Sequence, residues 1–290
     1  MTSFAKITAI IITLVLASEA RASSIGRCAF DTEALEFAGT PIEQARCLLA
    51  PVAVAGKIGD APVTLGEVLE ARVGKPVRVD REKLGAVLTG AGQGDLVGTL
   101  GRPVSRAESG AAAAPSARYF VIHDISQKLS EPPFPSNDDP KINRLGYKYE
   151  DGTWVAHIFV NRLGQTRVGY DFEKPWRATR LESDKYGAGS RTRGLFLHIE
   201  LNQPRLRDPA VAADNDRVAP VPGFTPAQYD RLALLYIVAS TRAGRWIVPA
   251  YHAVVDAGVV AGGHDDPQNF DRGAFEAALL KRLGEVERNN

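Results

Sequence analysis

Polar and apolar positions follow different rules on the two sides of residues 105–117. Before that stretch, Thr40-Pro41-Ile42-Glu43 and Thr64-Leu65-Gly66-Glu67 each set a hydroxyl residue three places ahead of a glutamate. This is the capping-box pattern, and it predicts helices running through Cys47 and Ala71. Asp80 stands where it would cap a third helix through Leu84 and Leu88. Residues 23–104 therefore read as a small, mostly helical region. In SRAESGAAAAPSA, residues 105–117, small residues, Ser, Gly and Pro replace the periodic pattern, and the segment reads as a linker.

From 118 to 285 the pattern alternates between strands and helices. RYFVIHD is a continuous apolar run ending in a histidine, as expected for a buried strand; WVAHIFVNRLG predicts a second strand and turn, and GLFLHIEL a third. In the third, period-two alternation sends Leu195, Leu197, Ile199 and Leu201 to one face and Phe196, His198 and Glu200 to the other. FTPAQYDRLALLYIVASTRAG predicts a long helix: Thr225 caps it, Pro226 opens it, Gln228 completes a capping box, and Arg242 and Gly244 end it. A short WIVPAYH strand follows. A last helix begins near Gly273, with Asp271 as its cap and Phe275, Ala278 and Leu279 on its buried face. The implied class is α/β, a central mixed sheet flanked by helices.

Composition adds a compartment. Lys6 precedes an apolar run from Ile7 to Ala17, and Ala20-Arg21-Ala22 is a small-x-small cleavage pattern, so residues 1–22 read as a secretory signal peptide. The apolar run is too short to cross a hydrocarbon layer of ~30 Å. The mature protein is expected in the periplasm or secreted, without stable membrane insertion. Removing Lys6, Arg21 and Glu19 from 35 basic and 34 acidic residues leaves 33 of each, a balance that gives nucleic acid no electrostatic footing. The two cysteines, Cys28 and Cys47, are expected to pair in an oxidising compartment.

All five histidines, His123, His157, His198, His252 and His264, lie beyond residue 117, each at or near the end of an apolar segment. Any one alone is more often a hydrogen-bonded structural residue than a ligand. Their order relative to the strands changes that reading. YFVIHD, AHIFVNRLGQ, LHIEL, FTPAQYDRLALL and DPQNFD, spread over roughly residues 116–285, resemble the zinc-dependent N-acetylmuramoyl-L-alanine amidases of type 2, which share a fold with peptidoglycan recognition proteins. The resemblance implies zinc ligands at His123, His252 and Asp266, a catalytic glutamate at Glu200, and a substrate-polarising group at His264. The implied substrate is peptidoglycan or a muropeptide. His264 competes with His252 for the second ligand position, because GHDDP looks locally like a family motif; the distance from the long helix favours His252.

Chemistry independent of the family fits this set. Two neutral imidazoles and one carboxylate leave a tetrahedral zinc with an open position. A nearby carboxylate can manage protons, and a donor can hold an oxyanion. The chain departs from the family at Asp124, after the first ligand, at WRAT (Trp176 to Thr179), and in a longer loop between His252 and Asp266. Those departures define the alternative, a non-catalytic peptidoglycan-binding module on the same fold. Glu182 reads as a surface residue or local ion pair, His157 as packing beneath the site, and Asp265 as a turn residue.

Overall fold

The computed structural model describes residues 24–146, 154–185, 187–208, 210, 217–261 and 263–288. The expected signal peptide, residues 1–22, lies outside the described residues. The amino-terminal region opens with three two-residue strands, β1 (Ser24–Ile25), β2 (Phe30–Asp31) and β3 (Glu36–Phe37), paired antiparallel. Helices α1 (Pro41–Leu48), α2 (Glu67–Glu70), α3 (Arg81–Gly90) and α4 (Gly94–Val97) follow.

Local capping chemistry explains which helices form as expected. Thr40 and Glu43 make a complete capping box at α1, and the Asp80 carboxylate accepts from the amides of Glu82 and Lys83 at α3. The Thr64 box does not form, and α2 is a single turn capped at Gly66. The carboxylate of Glu276, 210 residues away, accepts the Gly66 amide at 2.9 Å instead. Cys28 and Cys47 are disulfide-bonded, tying the β1–β2 turn to α1.

Among the described residues the main sheet has six strands: β4 (Tyr119–Leu129), β5 (Ile158–Val160), β6 (Thr166–Val168), β7 (Phe196–Arg207), β8 (Arg217–Val218) and β9 (Val248–Tyr251). Its order is β6-β5-β7-β4-β9, with β8 on β7. β5, β7, β4 and β9 run parallel to one another, whereas β6 on β5 and β8 on β7 are antiparallel additions, so the sheet is mixed. β4 does not stop at His123 as expected but continues to Leu129, paired residue for residue with β7 as far as Leu206. The second predicted strand is shorter than expected and forms a hairpin with β6.

The two faces of the sheet are covered differently. The face carrying Phe120 meets Tyr236 of α5 (Pro226–Ala243), ring centroids 5.4 Å apart. α5 has its Thr225–Gln228 capping box and ends at Gly244, at φ 72°, a conformation glycine adopts without strain. It is apolar beyond one stripe because α7 (Arg272–Arg288) packs along its other side, with Phe275 5.9 Å from Tyr236. Each fully buried leucine here, such as Leu232 or Leu235, contributes about 1.5–3 kcal/mol. Asp271 caps α7 by accepting the Ala274 amide.

The opposite face is covered at one end by the amino-terminal region: Phe37 packs edge-on against Tyr119, and Phe30 lies against Phe196. Residues 24–104 thus share one hydrophobic core with the sheet. The 105–117 segment is tied to it as well, through Ser105 N–H to the Phe172 carbonyl and the Ala117 amide to the Ser105 carbonyl. Beyond the aromatic cluster, this same face turns polar.

Candidate metal centre

His123 lies inside β4, where register puts it directly opposite Glu200 of β7 and puts Val121 opposite His198. Opposed residues of a pleated sheet share a face, so His123, His198 and Glu200 emerge together, on the side away from α5. β9 ends at Tyr251, opposite Ile122, and the next residue, His252, opens the short helix α6 (His252–Asp256) beside His123. Asp266 arrives from the loop before α7 and is fixed twice: it accepts the Asp124 amide at 3.0 Å and hydrogen-bonds His252 Nδ1 at 3.0 Å. Together, His123, His252 and Asp266 bring three ligand atoms within 4.8 Å of one another, all in buried side chains.

Electrostatics suit a cation here. Burial, reinforced by His252 and His198, holds His123 well below the usual imidazole range, so it is neutral and able to ligate. Burial opposes charge on His252, but Asp266 and Asp256 outweigh it and hold that imidazole charged. Asp266 is kept ionised against its own burial by His252. A positive centre at this point replaces the stabilisation that the His252 proton provides, and the donor set matches an open tetrahedral zinc site.

The nitrogens turned away from this centre each meet another group. His123 Nδ1 lies 4.0 Å from Asp266, while Nε2 lies 3.0 Å from His198 Nδ1. His198 Nε2 in turn lies 3.2 Å from Glu182 Oε2. His252 Nε2 lies 3.2 Å from Asp256 Oδ2, and His264 Nδ1 shares that oxygen at 2.5 Å. Burial pushes Asp256 upward, yet the hydrogen bonds from His252 and His264 prevail and hold it below the usual carboxylate range. His252, Asp256 and His264 thereby form a second possible cation cluster that shares His252 with the first.

A cavity of about 380 Å³ opens onto the centre, lined by Glu200, Asp266, His252, His264, Trp176 and Ser126 among others. Glu200 is 8% exposed, and the His264 side chain, at 35%, is the more accessible of the two. The His264 ring stacks on His252 with centroids 3.8 Å apart. A larger groove of about 670 Å³ beside α5 and α7 is mostly apolar, and no histidine lines it.

No family model matches the chain, and no curated protein matches it. Among solved structures, a crystal structure of a selenomethionine AmpD derivative is similar over 57% of this chain and 86% of that chain, at 19% identity and a TM-score of 0.35. At that distance the likeness assigns no residue a role.

Two residues differ from their sequence readings, and a third has a more specific role than its reading gave. Glu182 is not at the surface: it is fully buried, and its Oε2 accepts from the amides of Ala178 and Thr179 and from the Thr179 hydroxyl. Its loop has no periodicity to signal burial. Asp265 is an ion-pair partner of fully buried Arg205, which also holds Asp124. His157 packs behind the site as expected, but its role is specific: its Nδ1 accepts the His198 amide and its Nε2 meets the Lys174 carbonyl.

Proposed function

We propose that this chain is an exported zinc hydrolase that cleaves the amide between N-acetylmuramic acid and L-alanine in peptidoglycan or muropeptides. The observation that carries the reading is the meeting of His123, His252 and Asp266, from a strand, a helix start and a loop, beside a cavity lined by His252, Asp266 and Glu200. The donor chemistry supports zinc at His123, His252 and Asp266, and the substrate follows from the motif resemblance. Export is supported by the leader-like amino terminus and the disulfide.

When bound, zinc supplies Lewis acidity, making water nucleophilic near neutral pH and polarising the scissile carbonyl. Glu200 accepts the proton of the attacking water and delivers it to the alanine nitrogen as the carbon–nitrogen bond breaks. His264, held through Nδ1 on Asp256, offers its other nitrogen to the carbonyl oxygen as negative charge develops there.

The test is digestion of purified peptidoglycan by the mature chain, with and without added zinc, followed by mass analysis. Stem peptides beginning at L-alanine and released only with metal are expected. Retention of the chain on the polymer with no release would favour the binding module.

A further inference from the structure

The loop that begins with WRAT, residues 176–182, has a distinctive set of partners. Four consecutive backbone amides, those of Ala178, Thr179, Arg180 and Leu181, all donate to carboxylates. The first two point at Oε2 of Glu182, at 3.0 and 3.2 Å, and the next two at Oδ1 of Asp256, at 2.7 and 3.1 Å. Both carboxylates are fully buried. Each lies close to an outer imidazole nitrogen as a charge contact: Glu182 Oε2 is 3.2 Å from Nε2 of His198, the ring hydrogen-bonded to His123, and Asp256 Oδ2 is 3.2 Å from His252 Nε2.

We infer that residues 178–182 form a single clamp that orients both imidazoles of the metal centre. The inference rests on the zinc reading above. The chemical logic is that of tautomer control. A carboxylate beside the outer nitrogen of an imidazole keeps the proton there and leaves the inner nitrogen free to ligate. At His252 the carboxylate acts directly. At His123 it acts through a second imidazole: the Glu182 carboxylate, 3.2 Å from His198 Nε2, favours a proton there by its charge, His198 Nδ1 then accepts from His123 Nε2–H, and His123 Nδ1 is left toward Asp266. Stacking of His157 on His198, at 5.6 Å between centroids, and the bond from the His198 amide to His157 Nδ1 hold the intermediate ring in place. Because one short loop anchors both carboxylates, the two ligands are set together. Glu182, His198 and Asp256 are positioning residues, with no contact to substrate required.

The test uses the whole mature chain, residues 23–290. Zinc affinity is measured by competition with a chromogenic chelator, and the visible spectrum of the cobalt(II)-loaded protein reports ligand geometry. Glu182→Gln and Asp256→Asn are each expected to weaken zinc roughly 10- to 100-fold and to change the cobalt spectrum. A residue with a merely structural role would lower the melting temperature and leave the cobalt spectrum of the folded fraction unchanged. Should Glu182→Gln fail to fold, Thr179→Val, which removes one hydroxyl donor to Glu182 and no charge, is expected to show the same changes in smaller measure. Variants that bind zinc like the wild type, with an unaltered cobalt spectrum, would overturn the clamp and leave the metal centre standing. A wild-type chain that takes up neither metal would overturn the metal reading and the clamp with it.

Discussion

His123 of β4 stands directly opposite Glu200 of the parallel strand β7. This pairing brings the candidate ligand and the candidate proton carrier to one face of the sheet by backbone register alone, with no loop needed to aim either. The separation of roles follows from it: Glu200 is placed beside the centre without belonging to the three-residue ligand cluster.

Glu200→Gln is therefore expected to retain zinc and lose turnover by roughly 10²- to 10⁴-fold, the range for removing a general base. Metal content of the purified variant and release of stem peptides measure the two properties separately. Loss of zinc from this variant would make Glu200 a ligand or a structural support instead.

His264→Ala separates the two overlapping clusters. If the ion sits at His123, His252 and Asp266, the variant binds zinc as the wild type does, while kcat falls roughly 10²- to 10³-fold with the loss of an oxyanion donor. A collapse of zinc affinity would move the ion to His252, Asp256 and His264.

Much of this arrangement was legible in the sequence, for reasons that can be named. The strand holding His123 and the one holding Glu200 are marked by uninterrupted apolar runs, and α5 by a complete set of caps. These signals are local. What stayed hidden depended on distant chain: Glu182 is buried by packing that no spacing within WRATRLES announces. The Thr64 capping box reads well locally, yet Glu276, from a helix 210 residues away, takes the Gly66 amide. Arg205 carries no signal in the sequence, and only the fold places Asp124 and Asp265 around it.

Arg205 is expected to matter for stability. It pairs with Asp124 at 2.6 Å and Asp265 at 2.9 Å, the residues directly after His123 and directly before Asp266. Burial already pushes Asp124 up to about 7, against the pull of Arg205. Arg205→Leu leaves two acidic groups without their cation and should cost about 3–5 kcal/mol, read from urea unfolding of the metal-free chain at neutral pH. A loss below about 1 kcal/mol, typical of exposed pairs, would contradict this.

Acid sensitivity is expected away from the centre, where Asp171 pairs with Arg242 at the end of α5. Burial alone would raise the Asp171 carboxyl, but the Arg242 hydrogen bonds prevail and lower it. A group depressed in the folded state contributes stability above its unfolded value of about 3.9 and loses it as pH falls through the lower folded value. Unfolding free energy of the wild type should thus drop more steeply below about pH 4 than that of Asp171→Asn. Parallel pH profiles would show that the pair contributes nothing.

The most direct measurement is a zinc-edge anomalous difference map from a crystal of the mature chain grown with zinc. A single peak between His123 Nδ1, His252 Nδ1 and the Asp266 carboxylate is the predicted result. A peak held by His252, Asp256 and His264, or no peak at either cluster, would contradict the account.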